Sequence, residues 1–424
     1  MVSLSYESAA LLRQKIDDYV AKPNGIPGLV CTIVNKDGTR LFDYAAGHRA
    51  VGLDEQLDTD AIFWLASCTK LITSIAVMQL VEQKILCLDD SDQLETVCPE
   101  LKHIKVLEKS SEGSLKLSAK RLPITLRMLL THTAGFGYSF MNDNLRKWND
   151  PVGVDEFSGR KFDLFEQPLV NQPGERWEYG TGIDWVGLIV ERVSGLSLNA
   201  YFQKFILEPL GAENITFTPT RAMKDKLVFM HDRGIDGSIS IGQHGHLLRH
   251  ALLEPSEEAK GRIVHSGGAG CFGPTGSYCE ILSTLLNDGV HPRTRSRILN
   301  QETVEEMFKN QIPQFPNFGR QETPSSKPAL INSSVEIYPQ PPDQEQGWGL
   351  SFFSLIHPSR TGRSAGTGYW SGLANLVWWV DRRREVAGVM FSQILPFGDK
   401  QFWDLQADVE NLLYENLSSS ASEA

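Results

Sequence analysis

Strand-forming segments stand at the two ends of this chain, and a mainly helical block separates them. Near the start, the apolar runs 28–34 and 41–46 flank Asn35-Lys-Asp-Gly38 and read as a β-hairpin, because those residues tolerate a tight turn. Near the end, strand-like runs occupy 348–356, 372–381 and 385–394. Apolar spacing predicts helices over 6–22, 67–85, 125–131, 183–195 and 400–416. Strands so far apart in sequence share one core only if the sheet is antiparallel and assembled from both termini. The expected class is therefore α+β. Residues 1–66 and 311–424 would form a discontinuous lobe carrying the sheet and its terminal helices, and residues 67–310 an inserted, mainly helical lobe. A length of 424 residues fits two or three such units at roughly 150 residues each. An active site belongs in the crevice between the lobes. The stretch 311–346, rich in Pro, Gln and Ser, reads as a long loop at its rim. The last residues, 418–424, are expected to fray.

Charge and composition exclude several classes. With 41 basic and 52 acidic side chains the net charge is −11, which argues against a nucleic-acid partner. No run approaches the roughly 18–20 uncharged apolar residues of a membrane span. The first residues form an amphipathic pattern without a basic region and apolar core, so no export signal is read and a soluble, cytoplasmic protein is expected. The sequons at Asn214, Asn332 and Asn416 are then unused. Six scattered cysteines, without paired spacing, indicate neither a disulfide framework nor a zinc site.

Three motifs match known patterns without their context. Gly268-Ala-Gly270-Cys-Phe-Gly273 fits the dinucleotide fingerprint, but no buried strand precedes it and Pro274 follows at once. Gly362-Arg-Ser364-Ala-Gly366 fits the nucleophile elbow, yet no His follows it, the last being His357. His244, His246 and His250 could suggest a metal, with His246 and His250 one helical turn apart, but they lack further ligands. No cofactor and no metal are expected.

One pair carries chemistry. Ser67-Cys-Thr-Lys70 opens a strongly apolar helix, and positions i and i+3 share a face, which sets the Lys70 amine beside the Ser67 hydroxyl. A hydroxyl is a weak nucleophile at neutral pH. A lysine whose pKa is depressed by burial can take its proton, and the helix N-terminus favours the charge that develops.

Further motifs follow in order: Leu130-Thr-His-Thr-Ala-Gly135, Pro173-Gly with Trp177-Glu-Tyr179-Gly, Val190-Glu-Arg-Val-Ser-Gly195 with Pro209-Leu-Gly211, Gly267-Gly-Ala-Gly-Cys-Phe272 with Tyr278, and Trp370-Ser-Gly372. With Ser67 and Lys70 they resemble the serine β-lactamase-related family over residues 10–400. The similarity is to class C β-lactamases, family VIII carboxylesterases and lovastatin-type acyltransferases (LovD-like transesterases). That resemblance implies a β-lactamase/transpeptidase-like fold. It implies Ser67 as acylated nucleophile, Lys70 as its base and Tyr179 as proton shuttle. Trp370, Ser371 and Gly372 would correspond to the family's third, substrate-binding motif. The oxyanion hole would be the backbone N–H groups of Ser67 and Leu373, with a register open by one residue.

Two departures from the lactamase pattern bear on substrate. Tyr179-Gly-Thr181 lacks the usual Asn, and Trp370 stands where lactamases carry Lys. Both point away from β-lactams and towards neutral esters or thioesters. The resemblance around Trp177–Trp185 and Trp348–Asp381 is nearer to the transesterases than to bacterial esterases. The expected activity is acyl transfer from a small-molecule ester or thioester donor, with coenzyme A or an acyl carrier protein as possible carriers, to an alcohol of a natural product. Carboxylester hydrolysis is the alternative, with β-lactamase activity or a non-catalytic binding role behind it.

Overall fold

The computed structural model describes residues 2–243, 245–253, 256–334 and 339–419. Helix α1 (Tyr6–Val20) starts where Ser5 Oγ accepts the Ser8 N–H at 3.1 Å, an N-cap available to a hydroxyl side chain. The hairpin follows as β1 (Gly28–Asn35) and β2 (Arg40–Gly47). Asn35 Oδ1 accepts the N–H groups of Asp37 and Thr39 at 3.1 and 3.0 Å, which closes the turn.

The helical block supplies α2 (Thr69–Glu82), α3 (Leu126–Leu130), α4 (Gly182–Ser194) and α5 (Thr275–Leu286). The C-terminal part adds β3 (Phe353–Ser354), β4 (Gly368–Gly372), β5 (Leu376–Asp381), β6 (Val386–Phe391) and α6 (Lys400–Asn416). These strands join the hairpin in one antiparallel sheet, ordered β3-β4-β5-β6-β1-β2. The two ends of the chain meet at β6 and β1, where Phe391 pairs with Val30 and Val386 with Asn35. The expected α+β class, with a sheet built from both termini, is what the structure has.

Every residue of β1 is buried, so both faces of the sheet are covered. The hydrogen bonds say by what. Thr32 Oγ1 reaches Thr275 Oγ1 of α5 at 2.9 Å, whereas Tyr44, paired with Cys31 on the other face, donates to Asp17 of α1 at 2.8 Å. Successive residues of a strand point to opposite faces, so α5 lies on one side and α1, packed against α6, on the other.

Several elements differ from their sequence reading. The single strand expected over 372–381 is two, β4 and β5, joined by a turn at Leu373–Asn375. Asn375 takes φ +58°, and its amide donates to the Ile394 and Pro396 carbonyls at 2.8 and 3.0 Å. An apolar run hides such a turn, since its signal is one Asn. Of 348–356 only Phe353–Ser354 is strand. The block 67–310 also contains a hairpin, Lys105–Lys109 with Leu115–Ala119. Ser418 and Ser419 are not frayed: they pair with Ser3 and Val2. Residues 420–424 of that predicted frayed end lie outside the described residues.

Candidate active site

Ser67 sits in a single 3₁₀ turn, Ala66–Cys68, that leads into α2. Ala66 has φ +45°, a left-handed backbone that costs an alanine about 1 kcal/mol or more and is held by its surroundings. Trp64 and Phe63 anchor the approach by pairing with Phe272 and Gly273, and Tyr278 donates to the Cys68 carbonyl at 2.7 Å.

Lys70, one turn on, is 1% exposed. Its Nζ lies 3.1 Å from Ser67 Oγ, 3.1 Å from the Tyr138 hydroxyl and 2.8 Å from the Gly268 carbonyl oxygen. Burial pushes its pKa down to about 7, against the opposing pull of Asp184 and Cys68. A neutral amine has two N–H donors and one lone pair. With the N–H groups on Gly268 and Tyr138, the lone pair faces the Ser67 hydroxyl.

Tyr179 comes from the loop before α4. The Glu178 N–H donates to the His132 carbonyl at 2.8 Å, and a Cβ on Gly180 would fall 2.3 Å from the Phe136 carbonyl oxygen. Only glycine lets the loop pass there. Trp370 of β4 donates its indole N–H to the Tyr179 hydroxyl at 2.9 Å. Burial raises the Tyr179 pKa, with hydrogen bonds to Ser67 and Trp370 opposing, so the phenol keeps its proton. An indole only donates, so the phenolic oxygen accepts from Trp370 and its proton is left for the Ser67 side.

Ser67, Tyr138, Tyr179, Trp370 and Leu373 line a cavity of about 550 Å³, together with Ser371 and Gly372. The end of β4 presses on the turn before Ser67: a Cβ on Gly372 would lie 3.0 Å from the Leu65 carbonyl oxygen. Thr323, Ile331–Ser334 and Pro339–Pro341 of the long loop also border the cavity. The residues singled out from sequence, Ser67, Lys70, Tyr179, Trp370, Ser371, Gly372 and Leu373, thus meet in one place.

Sequence reasoning missed two participants. Tyr138, three residues beyond Gly135, is the second phenol on Lys70. Asp184, 2% exposed in the first turn of α4, accepts from Ser266 Oγ at 2.6 Å and from the Gly268 N–H at 3.1 Å. Gly268 therefore bridges Asp184 to Lys70, and a Cβ there would lie 2.5 Å from Asp184 Oδ2. The false dinucleotide match is this bridging loop. Asp184 stands five residues after Tyr179, which was its only sequence signal. His246 Nε2 donates to the Val228 carbonyl at 2.9 Å, in a loop rather than on the helix of His250; His244 lies outside the described residues.

Ser67 and the buried Lys70 thus stand at the start of an apolar helix, with Tyr179 and the end of an antiparallel strand around them. The Beta-lactamase family profile matches residues 12–410, and the chain belongs to that family. It is 31% identical over 407 residues to the lovastatin esterase of Penicillium rubens, covering 93% of this chain and 96% of that one. It is 30% identical over 419 residues to monacolin J acid methylbutanoyltransferase of Aspergillus terreus, covering 93% and 92%. The structure superposes on a mutant of simvastatin synthase from Aspergillus terreus with a TM-score of 0.78 at 28% identity, over 97% of this chain and 98% of that one. Among the described residues no helix is long and apolar enough to cross a membrane.

Proposed function

We propose that this protein is a serine acyltransferase that carries an acyl group from an ester or thioester donor to an alcohol of a small natural product. The observation that carries the proposal is the Ser67–Lys70 contact at the floor of the cavity, with a lysine held near neutrality by burial. Ser67 Oγ attacks the donor carbonyl while its proton passes to Lys70 Nζ. The Oγ–C bond forms, and the carbonyl electrons become an oxyanion, received by the backbone N–H groups of Ser67 and Leu373. Collapse breaks the bond to the leaving alcohol or thiol, which takes the Tyr179 proton; Lys70 returns its proton to Tyr179. An acceptor alcohol then reverses these steps on the acyl-enzyme. Trp370, where lactamases place a lysine, makes this wall apolar and suits neutral acyl groups.

In this reading the donor is carried on coenzyme A or an acyl carrier protein and the protein works in the cytoplasm. Residues 1–66 and 311–424 form the sheet lobe and 67–310 the helical lobe, with α5 lying against the sheet. Hydrolysis is the second reading, favoured by the similarity to a lovastatin esterase. Intact-mass measurement after p-nitrophenyl butyrate tests the nucleophile: an acyl adduct on Ser67, absent from Ser67→Ala, is expected. Product partition with and without an alcohol acceptor then separates the readings. Hydrolysis that no acceptor diverts would sink acyl transfer.

A further inference from the structure

The turn that carries Leu373 is held from behind the cavity wall. β6 ends at Phe391, which pairs with Leu376 at the start of β5. The chain runs on as Ser392-Gln393-Ile394 beside the turn Leu373–Asn375, and all three of these residues are buried. Two of them grip the turn. The Ile394 N–H donates to the Ala374 carbonyl at 3.1 Å and the Ser392 N–H to the Asn375 carbonyl at 3.3 Å. Ser392 Oγ adds a hydroxyl 2.8 Å from the Asn375 carbonyl oxygen and 3.2 Å from that of Ala374. The Asn375 side chain answers in the other direction. Its amide donates to the Ile394 and Pro396 carbonyls, and its Oδ1 accepts the N–H groups of Gly398 and Asp399 at 3.0 and 3.1 Å.

Gln393, between the two gripping residues, reaches the opposite way. Its Oε1 accepts the Trp64 N–H at 3.3 Å and its Nε2 donates to the Trp64 carbonyl at 3.1 Å. The carboxamide thus pairs with the Trp64 backbone as a neighbouring strand would, three residues before Ser67. On its far side the Gln393 carbonyl accepts the His231 N–H at 2.8 Å, so the segment is anchored as well. One stretch of three residues therefore bonds both to the approach to Ser67 and to the turn after Gly372.

We propose that Ser392-Gln393-Ile394 sets the gap of the oxyanion hole, with Gln393, Ser392 and Asn375 as positioning residues for the Ser67 and Leu373 N–H groups. Two donors serve one oxyanion only when both lie about 2.7–3.1 Å from the same oxygen, so their separation must be fixed before substrate arrives. The close approach of Gly372 to the Leu65 carbonyl stops the two segments from moving nearer; the bonds through Gln393 stop them from parting. The Leu373 N–H has no acceptor among the described residues, as a donor kept for substrate requires. None of the three positioning residues borders the cavity. The inference rests on the acyl-enzyme reading above and on its pair of oxyanion donors.

The test is the preference for a carbonyl over a thiocarbonyl ester. p-Nitrophenyl butyrate develops its charge on oxygen, and O-p-nitrophenyl thionobutyrate develops it on the larger, weakly accepting sulfur. The ratio of their kcat/KM values reads the fit of the two N–H groups to an oxyanion, whereas a displaced nucleophile or partial unfolding slows both esters alike. Gln393→Met keeps the length of the side chain and removes both bonds to Trp64; Ser392→Ala removes one hydroxyl. The oxo-to-thiono ratio is expected to fall at least about tenfold in Gln393→Met and about threefold in Ser392→Ala, with thiono turnover within about threefold of the parent. Equal losses for both esters would make these residues merely structural and overturn the proposal, as would an unchanged ratio. If Gln393→Met does not fold, Ser392→Ala decides by the same criteria. A parent protein that forms no acyl adduct on Ser67 overturns the acyl-enzyme reading and this inference with it. A parent that acylates Ser67, with variants that keep its ratio, overturns this inference alone.

Discussion

The indole N–H of Trp370 donates to the Tyr179 hydroxyl at 2.9 Å, and this bond couples the third motif to the second. It fixes which way the phenol can give its proton. Trp370→Phe keeps an aromatic ring but is smaller and removes the donor. A fall in kcat of about 10- to 100-fold is expected from the loss of one buried hydrogen bond at a proton-transfer group, together with a modest fall in Tm from the space left beside Trp348. Steady-state kinetics and thermal melting check this; an unchanged kcat would remove Trp370 from the proton path.

Lys70 must be neutral to accept the Ser67 proton, and burial brings its pKa to about 7. Protonation therefore costs activity on the acid side. Below pH 7, kcat/KM for p-nitrophenyl butyrate should fall about tenfold per pH unit. A profile flat down to pH 5 would exclude Lys70 as the base.

Asp184 pulls the Lys70 pKa upward and holds Gly268 against it. Asp184→Asn removes the charge and keeps the acceptor. The acid limb of the profile should then move to lower pH. Ser266→Ala alters the same loop without touching the charge, so its limb should stay in place. A limb that stays in place in Asp184→Asn would show that the carboxylate only positions the loop.

Gly180→Ala would put a methyl carbon 2.3 Å from the Phe136 carbonyl oxygen. The backbone must shift, at a cost of about 1–3 kcal/mol, as for other overpacked sites. A lower Tm and a displaced Tyr179, read as lost acylation rate, are expected together. A Tm equal to that of the parent would mean that the loop has room to yield.

Local rules made part of this protein legible. The i, i+3 spacing of Ser67 and Lys70 is set by local helical geometry, here a 3₁₀ turn running into α2, and both side chains do meet at 3.1 Å. The hairpin 28–47 and helix 400–416 follow from alternation and helical spacing in the same way. The turn inside 372–381 was not legible, because Asn375 makes it with carbonyls about twenty residues ahead. Tyr138 was invisible for the same reason: it reaches Lys70 across 68 residues, and nothing near it in sequence marks a phenol for that place.

By itself the sequence determined the pair Ser67 and Lys70, the antiparallel sheet drawn from both ends and the motif order that marks the family. Tertiary structure alone decided that Lys70 is desolvated, that Asp184 stands behind it through Gly268, and that a cavity runs from Ser67 to Arg363 and Glu410. The reason is physical. Spacing along a helix or strand is set by local geometry, whereas desolvation and the reach of a charge depend on which distant segments close around the group.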